Sequence, residues 1–156
     1  MKPSAVLLID FENFYHSRRD YFRDQNIPVG DQPGPADDLA ALVRVAERMA
    51  ELPLAVRRAY ANFNSLPGAA RDLMHRGIEP VQVFCLSETS NKNAADMKLA
   101  MDAVALADSS APFEHFVLVT GDSDFIPVIL ELKRRGHSVS VVAVTGATST
   151  LIRRFA

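Results

Sequence analysis

Residues 115–144, HFVLVTGDSDFIPVILELKRRGHSVSVVAV, contain two apolar runs rich in β-branched residues and a segment of helical periodicity between them. The runs at 115–120 and 138–144 predict strands, and residues 124–136 predict a helix that ends at Gly136. A strand, a helix and a second strand in this order are typical of a parallel sheet. This stretch therefore indicates an α/β fold.

The same alternation runs through the rest of the chain. Further strands are predicted at 5–9, 55–61 and 81–86, and helices near 13–24 and at 36–52, 65–77, 93–108 and 148–156. Strands separated by helices favour a parallel sheet that is covered by helices on both faces. The turn-rich stretch at 27–35 predicts a surface loop.

Length and composition limit the classes of protein that the chain can belong to. The 156 residues suit one domain over residues 1–156, although the chain ends inside a predicted helix, which leaves open that the natural protein continues. The net charge of −2 gives no general polyanion-binding surface, so any contact with nucleic acid must be local. The one cysteine, Cys85, predicts a buried reduced thiol in a cytoplasmic protein. The apolar N-terminal stretch is too short for a signal peptide or a membrane span.

Three aspartates follow predicted strands at the point where each strand ends. Asp10 closes the first apolar run, and Asp122 and Asp124 follow the fourth. In open α/β sheets ligands bind outside the carboxyl ends of the strands, where the strand order reverses. With the order 3-2-1-4-5, the first and fourth strands would be neighbours, and we expect these carboxylates to meet.

Two further aspartates lie on the helix predicted at 93–108. Asp96 would lie in its first turn, near the strand ends, whereas Asp102 lies about 9 Å further along the axis. Asp102 shares the face of Leu99 and Leu106 that should pack on the sheet, and a buried carboxylate needs partners. We expect it to accept a hydrogen bond from the TGDSD turn in a structural role.

Taken singly, these acids have structural alternatives, because Ser123 or Asp124 could cap the following helix and Asp96 could join a cap begun by Asn93. Carboxylates gathered in one crevice would repel one another, and a hard divalent cation removes that conflict. Oxygen ligands suit Mg²⁺ or Mn²⁺, whereas zinc sites use His or Cys and the histidines show no ligand-like spacing. The sequence also lacks a phosphate-binding glycine loop and a hydrolase serine elbow.

The motifs VLLIDFENF, NAADMKLAMDAVALA and FVLVTGDSDFIPVILELKRRGHSVSVVAV resemble the NYN domain, specifically its LabA-like bacterial branch, over nearly the whole chain. The resemblance implies a PIN-like fold, which is a three-layer α/β/α sandwich with a mainly parallel sheet of five or slightly more strands in the order 3-2-1-4-5. It also implies a metal-dependent ribonuclease whose ligands and catalytic groups are Asp10, Asp96, Asp122 and Asp124. Products with a 5′-phosphate and a 3′-hydroxyl are expected of such a family.

Other residues are expected to support these acids or to bind single-stranded RNA. Asn13, Asp102, Thr120 and Ser123 would surround the metal ligands, and Tyr15 and Phe63 could stack on bases. Many relatives have a lysine where this chain has Asn93, and Lys92 lies one place earlier. The cations that could contact RNA phosphates are Arg18, Arg19, Lys92 and Lys98.

Two other functions remain open from the sequence. One is a regulatory domain that binds RNA or protein without turnover. The other is a phosphohydrolase of the haloacid-dehalogenase type, although Glu12 occupies the position two after Asp10 where that class generally has an aspartate. The sequence leaves a homo-oligomer open.

Overall fold

The computed structural model describes residues 1–32, 34–85 and 91–144. Strands and helices alternate along it: β1 (Ser4–Asp10), α1 (Phe11–Asp24), α2 (Pro35–Ala50), β2 (Leu54–Ala61), α3 (Ala69–His75), β3 (Glu79–Gln82), α4 (Asn91–Asp108), β4 (Phe113–Val119), α5 (Ile126–Arg134) and β5 (Ser138–Val142). Short 3₁₀ turns lie at Val29–Asp31, Phe63–Ser65 and Ser123–Phe125.

The strands form a five-stranded sheet in the order β3-β2-β1-β4-β5, and every pairing is parallel. β1 is central and all its residues are buried, because both faces of the sheet are covered. Side chains alternate between the faces along a strand, so Leu7 and Ile9 pack on one side of β1 and Leu8 on the other. The predicted three-layer α/β/α sandwich with the strand order 3-2-1-4-5 is confirmed.

The two outer layers come from different helices. One core contains Leu39 of α2 and Leu73 of α3, and the other contains Leu99 of α4 and Ile129 of α5. The α3 and α5 helices both end just before a glycine with positive φ, since Gly77 has φ 70° and Gly136 has φ 91°. These are the stops that the sequence predicts.

Several predicted boundaries are displaced. β3 lies at Glu79–Gln82 and begins two residues before the predicted run. The strand can include the proline at position 80 because β3 is an edge strand. Cys85 follows this strand and is half-buried, so the predicted buried thiol is wrong. The helix predicted at 65–77 begins only at Ala69, after Gly68 with φ 79°. The helix predicted at 148–156 lies outside the described residues.

Candidate active site

The pairing of β1 with β4 brings two strand ends together. Ile9 is in register with Val119, so Asp10 and Thr120 leave the sheet side by side. The Thr120 Oγ1 donates to Asp10 Oδ2 at 3.1 Å and accepts from the backbone N–H of Asp122 at 3.1 Å. One hydroxyl therefore joins the first acid to the turn that contains the second.

Asn13 makes a second connection between these strand ends. Its backbone N–H donates to Asp10 Oδ1 at 3.3 Å, which makes Asp10 the N-cap of α1. Its side-chain Oδ1 accepts from the N–H of Gly121 at 3.0 Å. Both carboxylate oxygens of Asp10 are thus held by neighbours, and the α1 start is attached to the turn after β4.

The turn after β4 is capped by Asp122. Its Oδ1 accepts from the N–H of Asp124 at 2.9 Å, and the turn Ser123–Phe125 precedes α5, whose own N-cap makes no side-chain hydrogen bond. The alternative that Ser123 or Asp124 caps this helix is therefore wrong. Asp124 is exposed, and Ser123 is half-buried within the turn.

Asp96 reaches the same region from α4. This helix begins at Asn91, so Asp96 lies in its second turn, not in the first as predicted. The extra residues at the start move Asp96 away from any capping role. Its side chain is half-buried and faces the strand ends.

A cleft of about 450 Å³ joins the four predicted acids. Among the described residues, its walls are formed by Asp10, Glu12, Asn13, His16, Ser17, Asp20, Asn93, Asp96, Asp122 and Asp124. The prediction that the acids converge agrees with this arrangement. Glu12, His16, Ser17 and Asp20 were not predicted to line the cleft, although their spacing places them on one face of a helix.

Burial and the neighbouring acids raise the pKa of two carboxyl groups of the cleft. Burial raises the pKa of Asp10 to about 6, hydrogen bonds from Asn13 and Thr120 oppose the rise, and the charges of Asp122 and Glu12 add to it. The pKa of Asp96 rises to about 7, because of burial first and then the surrounding acids. The surroundings of Asp10 and Asp96 therefore disfavour their ionised forms.

The NYN domain family model matches residues 4–156 of the chain. The chain belongs to the NYN domain family. This family is part of the PIN-like nuclease superfamily, whose members generally use divalent metals.

A solved structure with the same fold comes from a protein of unknown function of Vibrio parahaemolyticus. It is 22% identical, with a TM-score of 0.71, and the match covers 96% of this chain and 87% of that chain. A search of the curated proteins gave no match. In the part of the chain that the structure describes, no helix has the length and apolar character needed to cross a membrane.

The donor chemistry of this NYN cleft fits a hard divalent cation. Apart from His16, the wall side chains named above offer oxygen ligands, and a cation would relieve the charge crowding that contributes to the raised pKa of Asp10 and Asp96. Over residues 1–32, 34–85 and 91–144, no three His, Cys, Asp or Glu side chains are grouped closely enough to hold an ion as they stand. The acids share the cleft without forming a preassembled ligand cage.

Asp102 lies apart from the NYN cleft, and its predicted contact with the TGDSD turn is wrong. Its Oδ2 accepts from the hydroxyl of Tyr60 at 2.8 Å, and its Oδ1 accepts from Lys98 Nζ at 2.9 Å. Arg58 lies 3.7 Å from Oδ2. The carboxylate faces β2 because α4 presents this position to the sheet below the strand ends.

Three of the four predicted RNA-binding cations, Arg18, Arg19 and Lys98, do not line the cleft. Arg18 forms an ion pair with Asp38 on α2 and lines a different, mainly apolar cavity. Arg19 lies 3.5 Å from Asp20, and Lys98 pairs with Asp102. The side chain of Lys92 lies outside the described part of the chain.

The two aromatic residues predicted to stack on bases pack against the hydrophobic core. Tyr15 and Phe63 both pack against the ring of Phe11, with centroids 6.2 and 5.8 Å away, and both contact the core that lies under α2 and α3. These contacts give both rings a packing role, and the expectation that they stack on bases stays a prediction.

Proposed function

We propose that this NYN domain is a ribonuclease that hydrolyses phosphodiester bonds of single-stranded RNA with Mg²⁺ or Mn²⁺. The observation that supports it best is the cleft in which Asp10, Asp96, Asp122 and Asp124 lie together, where burial and the neighbouring acids raise the pKa of Asp10 and of Asp96. A fold does not gather like charges without compensation for structural reasons alone. We further propose that the protein acts in the cytoplasm.

In this proposal the four aspartates hold the cation. When bound, it would lower the pKa of a water molecule and stabilise the charge that develops on the phosphate. Thr120 and Asn13 restrain the Asp10 carboxylate through its two oxygens, so that it keeps its orientation while negative charge surrounds it. Asn13 also holds the turn that presents Asp122.

The phosphohydrolase alternative is not supported by the geometry of Glu12. That class needs an acid/base at this position, but here Glu12 Oε1 accepts from the backbone N–H of Asn62 at 3.0 Å. The carboxylate is engaged with the loop after β2. Membership of the NYN family also favours phosphodiester hydrolysis over phosphoryl transfer to Asp10.

Cleavage of labelled single-stranded RNA with Mn²⁺, with Mg²⁺ and with a chelator tests the proposal. We expect metal-dependent products with a 5′-phosphate and a 3′-hydroxyl. Replacing Asp10→Asn or Asp122→Asn should lower the rate by at least about a hundredfold, since even residues that only orient metal ligands are worth 10–100-fold.

The matched control is Glu114→Gln, which removes one negative charge from the exposed start of β4, at the opposite end of that strand. Its rate should stay within about twofold of the wild type, because it lies far from the cleft. Cleavage that survives chelation, or that persists in both aspartate variants, would refute the metal-nuclease proposal. RNA that binds tightly and stays intact would favour the regulatory alternative.

A further inference from the structure

The cleft wall contains many acids and a histidine, and the proposed metal ligands do not account for the histidine. Among the described residues its walls contain the six acids Asp10, Glu12, Asp20, Asp96, Asp122 and Asp124 and one side chain that can carry a positive charge, His16. An RNA phosphate that enters the cleft is repelled by the ionised acids of the wall, and among the described wall residues His16 is the one that could attract it.

His16 lies on the face of α1 that continues the cleft away from Asp10. Asn13, His16, Ser17 and Asp20 follow one another at helical spacing and line the same wall. His16 is three residues beyond Asn13, about 4.5 Å further along the helix axis. A strand whose reacting phosphate lies at the acids would therefore pass His16 with a neighbouring part of its backbone.

The imidazole of His16 packs against an aromatic ring on one side and is exposed to solvent on the other. Its edge-on contact with Tyr15 has a centroid distance of 5.7 Å, and Tyr15 rests on the buried Phe11. His16 is exposed, and within residues 1–32, 34–85 and 91–144 it makes no hydrogen bond or ion pair. Its ring nitrogens are available to a ligand.

The neighbouring arginines of α1 are engaged with carboxylates. Arg18 pairs with Asp38, and Arg19 and Arg23 lie 3.5 and 3.4 Å from Asp20 Oδ1. We infer that His16 is a substrate-binding residue, which donates a ring N–H to a phosphate oxygen of the nucleotide next to the cleaved bond. This inference rests on the proposed ribonuclease function.

Steady-state cleavage of a short single-stranded RNA by His16→Ala tests the inference. We expect KM to rise roughly ten- to a hundredfold, the range for a lost hydrogen bond to a charged group, with kcat within about threefold. His16→Lys should restore most of the affinity, because it keeps a donor and a positive charge. His75→Ala is the control, since His75 is exposed at the end of α3 and outside the cleft walls.

A substrate series identifies the contact itself. An uncharged methylphosphonate linkage is placed at each position beside the cleaved bond, and the loss of affinity is compared between wild type and His16→Ala. At one position the methylphosphonate should weaken RNA binding by the wild type about as much as the His16→Ala substitution does. At that same position it should weaken binding by His16→Ala little further. Equal losses in the two proteins at every position would overturn the inference while leaving the ribonuclease proposal intact.

Mn²⁺ titration separates substrate binding from metal binding. His16→Ala should bind Mn²⁺ with the wild-type affinity, whereas weaker binding of about tenfold or more would make His16 a metal ligand and overturn the inference. Wild-type protein that neither binds nor cleaves single-stranded RNA would overturn both this inference and the proposed function.

Discussion

Two carboxylates on the same helix, Asp96 and Asp102, have opposite surroundings. Asp102 accepts from Tyr60 and Lys98 and lies near Arg58, so its charge is compensated. Asp96 faces a cleft of other acids, and its pKa is raised by burial first and then by those acids. Two carboxylates six residues apart on one helix thus differ in role. Asp102 has partners of opposite charge, whereas Asp96 has acids as neighbours.

The difference teaches how structural and functional acids can be told apart. A buried acid with a structural role has hydrogen-bond or ion-pair partners, because burying an unpaired charge lowers the free energy of unfolding. An acid whose neighbours are other acids destabilises the protein until something binds, and its presence indicates a ligand. On α4 the first description fits Asp102 and the second fits Asp96.

The largest expected effect is on cleavage. Asp96→Asn should lower the Mn²⁺-dependent rate on single-stranded RNA by at least about a hundredfold, whereas Asp102→Asn should stay within about threefold. Both variants remove one charge from the same helix, so each is the control for the other. A loss of similar size in both, with both proteins folded, would erase the distinction between the two acids.

The next effect is on thermal stability in the presence of metal. Mn²⁺ at 100 times its Kd should stabilise the wild type by about 2.7 kcal/mol, which raises Tm by roughly 5–10 °C for a chain of this size. The shift should persist in Asp102→Asn and shrink to within about 2 °C in Asp96→Asn. Differential scanning fluorimetry with and without a chelator measures it. A full shift in Asp96→Asn would show that this side chain is not a ligand.

The third effect is on folding without metal. Asp102→Ala should lower the free energy of unfolding by about 1–3 kcal/mol, because it leaves the buried hydroxyl of Tyr60 without its acceptor. Tyr60→Phe removes the donor as well as its need for a partner and should cost about 1 kcal/mol. Urea unfolding with a chelator compares the variants. Equal stability of Asp102→Ala and wild type would show that the pairing contributes nothing.

The sequence was sufficient for those features that depend on local periodicity and on strand ends. Apolar runs and helical spacing predicted the sandwich, and the rule that ligands bind at the carboxyl ends of strands predicted the convergence of Asp10 and Asp122. The order of the strands came from the family resemblance. Every residue of β1 is buried, and a strand that is covered on both faces needs a continuous apolar run, so β1 was easy to predict from the sequence.

Other features depend on contacts between distant residues and could not be read from the sequence. Asp102 pairs with Tyr60, 42 positions away, and Arg18 pairs with Asp38 across two helices. The cleft wall formed by Glu12 and His16 was missed for a different reason. The prediction began α1 two residues late, and a helix that starts at Phe11, directly after Asp10, brings its first turns along the strand ends.

The smallest effect concerns the pH dependence of stability at Asp96. Its pKa rises from 3.8 to about 7 on folding, so the folded state binds a proton more tightly than the unfolded state and loses stability as the pH rises between these values. Without metal, Asp96→Asn should therefore match the wild type near pH 4 and exceed its free energy of unfolding by about 1–2 kcal/mol near pH 8, because the side chain keeps some contact with water. Asp102→Asn should show no such gain. Urea unfolding from pH 4 to 8 with a chelator measures the difference. A wild type that is as stable as Asp96→Asn at pH 8 would mean that the charge of Asp96 is already compensated in the metal-free protein.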